Sequence, residues 1–198
     1  MNTSTYMATG IAAIVLALLF PVYWLFGLAD ISLEAMRADF MTLNGWDLLF
    51  VVIGALEIIV YVVLARFFHD QLGGALASIL LMMMAVMVAT FHATVVFDVF
   101  LGLGLGASIA ETIVNIGIVV SVVSLILYTF TALTLAIVLL TRFAELPALI
   151  RVFSIGLLLS CIFQLTVFLA VINIFLFPLL MLLLAAHFLR GEHPVEVV

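Results

Sequence analysis

The chain has 198 residues, of which 69% are hydrophobic and only 8% are charged. Soluble domains usually carry about 25% charged residues, so this chain has too few charges to cover a water-facing surface. The formal net charge of −6 also argues against a nucleic-acid partner, because phosphates bind to basic surfaces. The composition therefore predicts an integral membrane protein whose immediate partner is the lipid bilayer.

Several chemistries are excluded by residues that the chain lacks. It contains no lysine, which excludes a retinal or pyridoxal Schiff base and a P-loop lysine. Cys161 is the only cysteine, which excludes an intrachain disulfide and a cysteine-based metal or iron–sulfur site. We therefore predict no catalytic residue and no cofactor, leave a bound metal open, and consider an enzyme the weaker expectation.

Apolar segments long enough to cross a bilayer fill most of the chain, since one crossing takes about 20 residues. We predict spans at about 5–28, 46–67, 75–97, 109–140, 148–169 and 173–189. These segments leave no room for a separate soluble domain. The predicted fold is an all-α, polytopic six-transmembrane-helix bundle, with residues 1–198 forming a single domain.

The connections between the spans carry most of the polar residues. The stretch over about 29–44 is the longest, and its apolar residues recur with a helical rhythm, which predicts a short amphipathic helix on the membrane surface. From 148 to 189 the chain is almost continuously apolar. A single helix over this run would be about 60 Å long, twice the hydrocarbon thickness. We therefore expect two spans joined by a turn near 170–173.

The arginines predict how the bundle is oriented. With six spans, four of the five fall on the same side as both termini: Arg66, Arg142, Arg151 and Arg190. The other side carries Arg37 with the acids of the first connection, namely Asp30, Glu34, Asp39 and Asp47. The positive-inside rule then puts both termini in the cytoplasm, in a plasma or inner membrane.

Glu57 is the sharpest candidate for a functional residue. It lies near the middle of span two, and Gly54 and Tyr61 share its helical face at i−3 and i+4. Ionisable groups are costly in lipid, so they usually face the bundle interior or a cavity. Two interpretations remain open: Glu57 is a proton or cation site, or it is a hydrogen-bonded acid that holds two helices together.

Four more polar residues lie toward the predicted outer side: His92, Asp98, Glu111 and Asn115. Together they form a candidate transport or proton site, and their oxygen and nitrogen atoms suit a divalent cation. His92 has the alternative roles of proton relay, haem or metal ligand, and interhelical hydrogen-bond partner. Glu111 has a local alternative, because Ser108 precedes it at the spacing of a helix capping box.

Small and amide residues predict close contacts between helices. Gly117 and Ser121 form a small-xxx-small pair in span four, which favours close approach of a neighbouring helix. Gln164 and Asn173 stand near the predicted turn between the last two spans, where we expect their amide groups to form interhelical hydrogen bonds.

Three functions are compatible with this pattern. The first is a helical-bundle accessory or structural membrane subunit that forms a homo-oligomer or joins a membrane complex. The alternative is a small proton- or cation-coupled transporter or channel that uses Glu57. A second alternative is a membrane redox or lipid-modifying enzyme that uses His92 with the outer acids. A water-filled path to Glu57 would favour transport, whereas a dry, hydrogen-bonded Glu57 would favour the subunit.

Overall fold

The computed structural model describes residues 3–27 and 33–190, and it contains no strand in these ranges. Six of its helical segments are long and apolar enough to cross a membrane. The predicted all-α six-helix bundle is confirmed, and the chain is a multi-pass integral membrane protein. Asp30, one of the acids of the predicted polar connection, lies outside the described residues.

The described residues form α1 Thr3–Val22, α2 Leu33–Asp39, α3 Gly45–Leu72, α4 Ala75–His92, α5 Val95–Gly102, α6 Ala110–Thr141, α7 Ala148–Leu165 and α8 Asn173–Arg190. A π-helical turn over Tyr23–Gly27 follows α1, and α4 and α5 together make the third candidate span. The chain direction alternates, so α3, α6 and α8 run one way while α4 and α7 run back.

The membrane-spanning helices close into a ring. Along this ring α1 packs against α3, α3 against α4, α4 against α6, α6 against α7, α7 against α8, and α8 against α1. Glycines permit close approach at two of these contacts. A side chain at Gly10 would meet Leu189 of α8, and one at Gly156 of α7 would meet Leu180 of α8. The first and last spans are therefore neighbours.

The connection between α7 and α8 covers residues 166–172 and begins before the predicted turn near 170–173. The hydroxyl of Thr166 donates a hydrogen bond of 2.8 Å to the Phe163 carbonyl, which satisfies an acceptor of the last helical turn. Val167 then adopts a φ of 58°, in the left-handed region, and turns the chain away from the helix axis. Asn173 begins α8.

The residue that follows the short helix α2 packs on α6. Phe40 follows α2 directly, and it is buried with its ring against Gly117. A Cβ atom at Gly117 would lie 2.8 Å from Cε1 of Phe40 and 3.2 Å from Cδ2 of Phe97. The small residue predicted to admit a neighbouring helix thus accommodates two aromatic side chains.

The capping box predicted at Ser108 and Glu111 is wrong. Ser108 lies in a 3-10 turn, and α6 begins at Ala110 without a side-chain cap. Instead, the backbone N–H of Ile109, just before α6, donates a hydrogen bond of 2.9 Å to the Gly106 carbonyl. A capping box does form at the start of α3. The backbone N–H of Asn44 donates a hydrogen bond to Oδ2 of Asp47, and Oδ1 of Asn44 accepts one from the backbone N–H of Trp46.

Candidate functional site

Glu57 lies inside the bundle with two tyrosines. Its side chain is only 6% exposed, and its carboxyl group is within hydrogen-bonding range of the hydroxyls of Tyr61 and Tyr128. The two hydroxyl oxygens are 2.5 Å apart and share a hydrogen bond. Tyr61 stands one turn after Glu57 on the same face of α3, whereas Tyr128 comes from α6. The three side chains therefore join two spans that are far apart in sequence.

This arrangement satisfies a carboxyl group that would otherwise be costly to bury. Transfer of a polar group from water to an apolar interior costs on the order of 2–7 kcal/mol when the group finds no hydrogen-bond partner there. Two hydroxyls supply both donors and acceptors, so they can serve Glu57 in either protonation state. Tyr61 is fully buried and Tyr128 is half-buried. The cluster is thus a compact interhelical hydrogen-bond network.

A cavity of about 40 Å³ lies beside the tyrosines, between α6, α7 and α8. Tyr61 and Tyr128 line one part of it, and Cys161, Gln164 and Asn173 line another. Tyr61 and Tyr128 border both this cavity and Glu57, whereas Glu57 itself does not line the cavity. The space is large enough for water, which needs about 10–15 Å³ by this measure.

Amide groups at the end of this cavity join α7 to α8. The amide nitrogen of Asn173 donates to the Ser160 carbonyl oxygen and to Oε1 of Gln164, each at 3.0 Å. The predicted interhelical hydrogen bonds of Gln164 and Asn173 are therefore confirmed. The other amide atom of Asn173, Oδ1, is buried and has no partner among the described residues.

His92 is close to Glu57 in the fold but does not join its hydrogen-bond network. The imidazole packs directly on Gly54, one turn before Glu57, and its ring centre is 4.1 Å from that of Phe50. It is also within hydrogen-bonding range of the Phe50 backbone, while its Nδ1 atom has no partner in the described part of the chain. His92 therefore connects α4 to α3.

Asp98 belongs to a different group, at the end of the bundle where α3 begins. It is buried in α5, and its carboxyl group is close enough to Asp39 and Asp47 for their charges to interact. Tyr23 stands near all three acids. Outside the spans, partial burial and the charge of Asp47 raise the pKa of Asp39 above its usual range. These acids repel one another when ionised.

The last two predicted site residues lie on the surface of the bundle. Glu111 and Asn115 are both exposed in the first turns of α6. Nη2 of Arg37 donates a hydrogen bond of 2.9 Å to Oδ1 of Asn115, which connects α2 to α6. The five candidates therefore do not converge on one cavity. Within residues 3–27 and 33–190, no three His, Cys, Asp or Glu side chains are grouped as metal ligands would be.

Tyr128 and Cys161 are the neighbours of the Glu57 cluster that the sequence pattern did not single out. Tyr128 continues the small-residue face of α6 that includes Gly117, Ser121 and Ser124, but the sequence does not indicate which helix this face meets. The contact between α3 and α6 depends on how the helices are rotated in the ring. A local signal existed only for Tyr61, at i+4 from Glu57.

Compared with known proteins, the chain matches no family model, and no curated protein or solved structure is significantly similar to it. The class of protein that fold and site define is a multi-pass, six-span membrane helical bundle.

Proposed function

We propose that this protein is an accessory or structural subunit of a membrane assembly, formed with other copies or with a membrane partner. The enclosed Glu57 is the observation that carries the proposal. Its carboxyl group interacts with Tyr61 and Tyr128, and it does not line the adjoining cavity. A carboxyl group placed in this way fastens α3 to α6.

The other polar groups of the spans support the same role. The imidazole of His92 connects α4 to α3, and the amide of Asn173 connects α8 to α7. At the end of the bundle, Arg142 donates a hydrogen bond of 3.0 Å to the Leu72 carbonyl and so connects α6 to the turn after α3. Interhelical hydrogen bonds of this kind hold membrane helices together.

We expect such a protein to act through its lateral surface, the sides of the helices that face the surrounding membrane. The described connections between spans are short, so the apolar sides of the helices are the largest surface available for contacts with a partner. The least buried span is α7. Its exposed apolar residues follow one another at intervals of three and four, which gives a straight stripe: Val152, Ile155, Leu159 and Ile162. A stripe with this spacing fits the side of a neighbouring helix.

Extraction into lipid nanodiscs with a membrane-active copolymer tests the proposal. Native mass measurement is expected to give an assembly heavier than one 21.6 kDa chain. Leu159→Cys, made in a Cys161→Ala background, is expected to form a disulfide-linked pair on mild oxidation if two copies meet along α7. Val86→Cys, exposed on α4 at a similar depth but away from the stripe, is the matched control. Single chains throughout, at every lipid-to-protein ratio, would overturn the proposal.

Transport of a proton or small cation through Glu57 is the second candidate. The cavity beside Tyr61 and Tyr128 favours it, because this cavity is large enough for water and lies close to a buried acid. Transport through Glu57 predicts an ion- or pH-driven flux in proteoliposomes. The substitution Glu57→Gln is expected to abolish this flux. Association and flux are separate measurements, so the two candidates are distinguished directly.

We also propose that the arginine-rich end of the bundle faces the cytoplasm. Arg142 and Arg151 lie at the same end as the α3–α4 turn, and Arg37 lies with the acids at the opposite end. The positive-inside rule assigns the arginine-rich end, and with it both termini, to the cytoplasm of a plasma or inner membrane. Impermeant thiol labelling of Glu145→Cys in a Cys161→Ala background tests this assignment, because residue 145 is expected to react only from the cytoplasmic side.

A further inference from the structure

We propose that the cavity between α6, α7 and α8 binds water and admits it from one end of the bundle, so that water reaches the tyrosine hydroxyls bonded to Glu57. The inference goes beyond the subunit role and does not rest on it. It identifies the side of the membrane from which water reaches Tyr61 and Tyr128.

The first support is the position of the lining residues along their helices. Asn173 is the first residue of α8, and Gln164 is the last but one of α7. Both side chains are half-buried. The cavity thus extends from the end of the bundle where α7 joins α8 to Tyr61 and Tyr128 in the interior.

The second support is an unpaired acceptor. Oδ1 of Asn173 is buried and lacks a partner among the described residues, although the amide nitrogen of the same side chain donates twice. Buried polar atoms in native proteins are almost always hydrogen-bonded to protein or to ordered water. Asn173 lines the cavity together with Tyr61 and Tyr128. Water inside it can therefore donate to Oδ1 of Asn173 and form hydrogen bonds with the tyrosine hydroxyls.

The third support is the chemistry of the walls. The lining includes polar residues, among them Ser160, Cys161 and Gln164, together with apolar residues such as Phe153 and Met181. A cavity of about 40 Å³ is too small for a substrate-sized molecule but large enough for water. The ligand that fits by size and by hydrogen bonding is therefore water.

The native chain contains its own probe, because Cys161 is the only cysteine and lines the cavity. Ag⁺ is comparable in size to a water molecule, and it binds sulfur as the thiol releases its proton to water. The protein is reconstituted in sealed vesicles and exposed to Ag⁺ on one side. The thiol that remains free is then counted with a fluorescent maleimide after unfolding in SDS.

Two variants in a Cys161→Ala background serve as controls. Ile162→Cys places a thiol one residue further along α7, at nearly the same depth, but on a face that is 43% exposed on the apolar exterior of the bundle. Phe168→Cys places a thiol in the α7–α8 connection at a side chain that is 93% exposed. An impermeant maleimide identifies the side on which this connection lies.

We expect Cys161 to react with Ag⁺ about tenfold faster than Ile162→Cys, because a thiol must ionise to bind a metal and lipid prevents this. The fast reaction is expected only from the side on which Phe168→Cys is labelled. Equal rates for Cys161 and Ile162→Cys would show a dry cavity and overturn the inference. Fast reaction from the opposite side, or from both sides, would overturn the proposed entrance. Ile162 belongs to the α7 stripe, but lipid and an apolar helix contact both exclude water, so the comparison holds whether or not the protein associates with other chains.

Discussion

The hydroxyl oxygens of Tyr61 and Tyr128 lie 2.5 Å apart and join α3 to α6 across 67 positions of sequence. Both hydroxyls also reach the carboxyl group of Glu57. Because α3 and α6 are not neighbours in the ring of helices, this contact crosses the bundle interior. It is the polar connection on which the structural role of Glu57 rests.

Removing either hydroxyl is expected to weaken the bundle. Interhelical hydrogen bonds in membranes contribute about 0.6 kcal/mol on average and about 1.7 kcal/mol at most. Tyr61→Phe and Tyr128→Phe should each lower the free energy of unfolding by about 1 kcal/mol, with a coupling of similar size in the double variant. SDS-driven unfolding in lipid bicelles measures these values.

Tyr6→Phe is the control for this cycle, since the Tyr6 hydroxyl is buried and has no partner in the described part of the chain. We expect no loss of stability from it. A coupling near zero between Tyr61 and Tyr128 would contradict the proposed network.

The contact of His92 with Gly54 predicts a strong steric effect. A methyl group at residue 54 would meet the imidazole, with Cδ2 of His92 only 2.6 Å away. Gly54→Ala should therefore destabilise the protein by about 1–3 kcal/mol, as overpacking of a close contact does. The same unfolding assay measures this loss. Gly45→Ala is the matched control, because nothing lies within 4 Å of a methyl group there. Equal effects of the two substitutions would show that α4 does not pack on Gly54.

The amide of Asn173 is expected to contribute more than that of Asn115. Asn173 donates two hydrogen bonds within the bundle, whereas Asn115 is exposed and accepts one from Arg37. Asn173→Leu keeps the side-chain volume and should cost about 1 kcal/mol of unfolding free energy, while Asn115→Leu should cost less than about 0.5 kcal/mol. The reverse order would contradict the α7–α8 connection described above.

Neutralising Asp39 should stabilise the protein in a pH-dependent way. The pKa of Asp39 is raised in the folded state, by partial burial and then by Asp47, so the folded chain holds this proton more tightly than the unfolded chain. Stability from this group is present below the unfolded pKa and is lost as pH rises toward the folded pKa. Asp39→Asn should therefore raise the thermal midpoint near pH 7, with the gain vanishing below about pH 3.8.

Glu34→Gln removes the same charge from an exposed position of α2 and is the control for Asp39. Thermal unfolding of nanodisc-embedded protein between pH 3 and pH 8 compares the two. A gain for Glu34→Gln equal to that for Asp39→Asn would attribute the effect to net charge rather than to the neighbouring acid.

The sequence predicts the number of spans well because lipid imposes a length of about 20 apolar residues on each crossing. It predicts Tyr61 as a neighbour of Glu57 because both lie on one face of one helix. It does not predict the contact with Tyr128, because the small-residue face of α6 shows which side is packed but not which helix lies opposite. Local rules also failed at Ser108, where a 3-10 turn displaced the expected cap. Contacts between helices depend on rotation and depth, which an almost entirely apolar sequence leaves unmarked.

We expect Glu57 to hold the bundle together rather than to conduct ions. The most direct test is proton flux into proteoliposomes under an imposed pH gradient, with a pH-sensitive dye inside, for wild-type protein and Glu57→Gln. Because Glu57 is buried against Tyr61 and Tyr128, we predict that both proteins give the background leak of protein-free liposomes. Flux above that background in the wild type, lost in Glu57→Gln, would contradict the claim and establish transport instead.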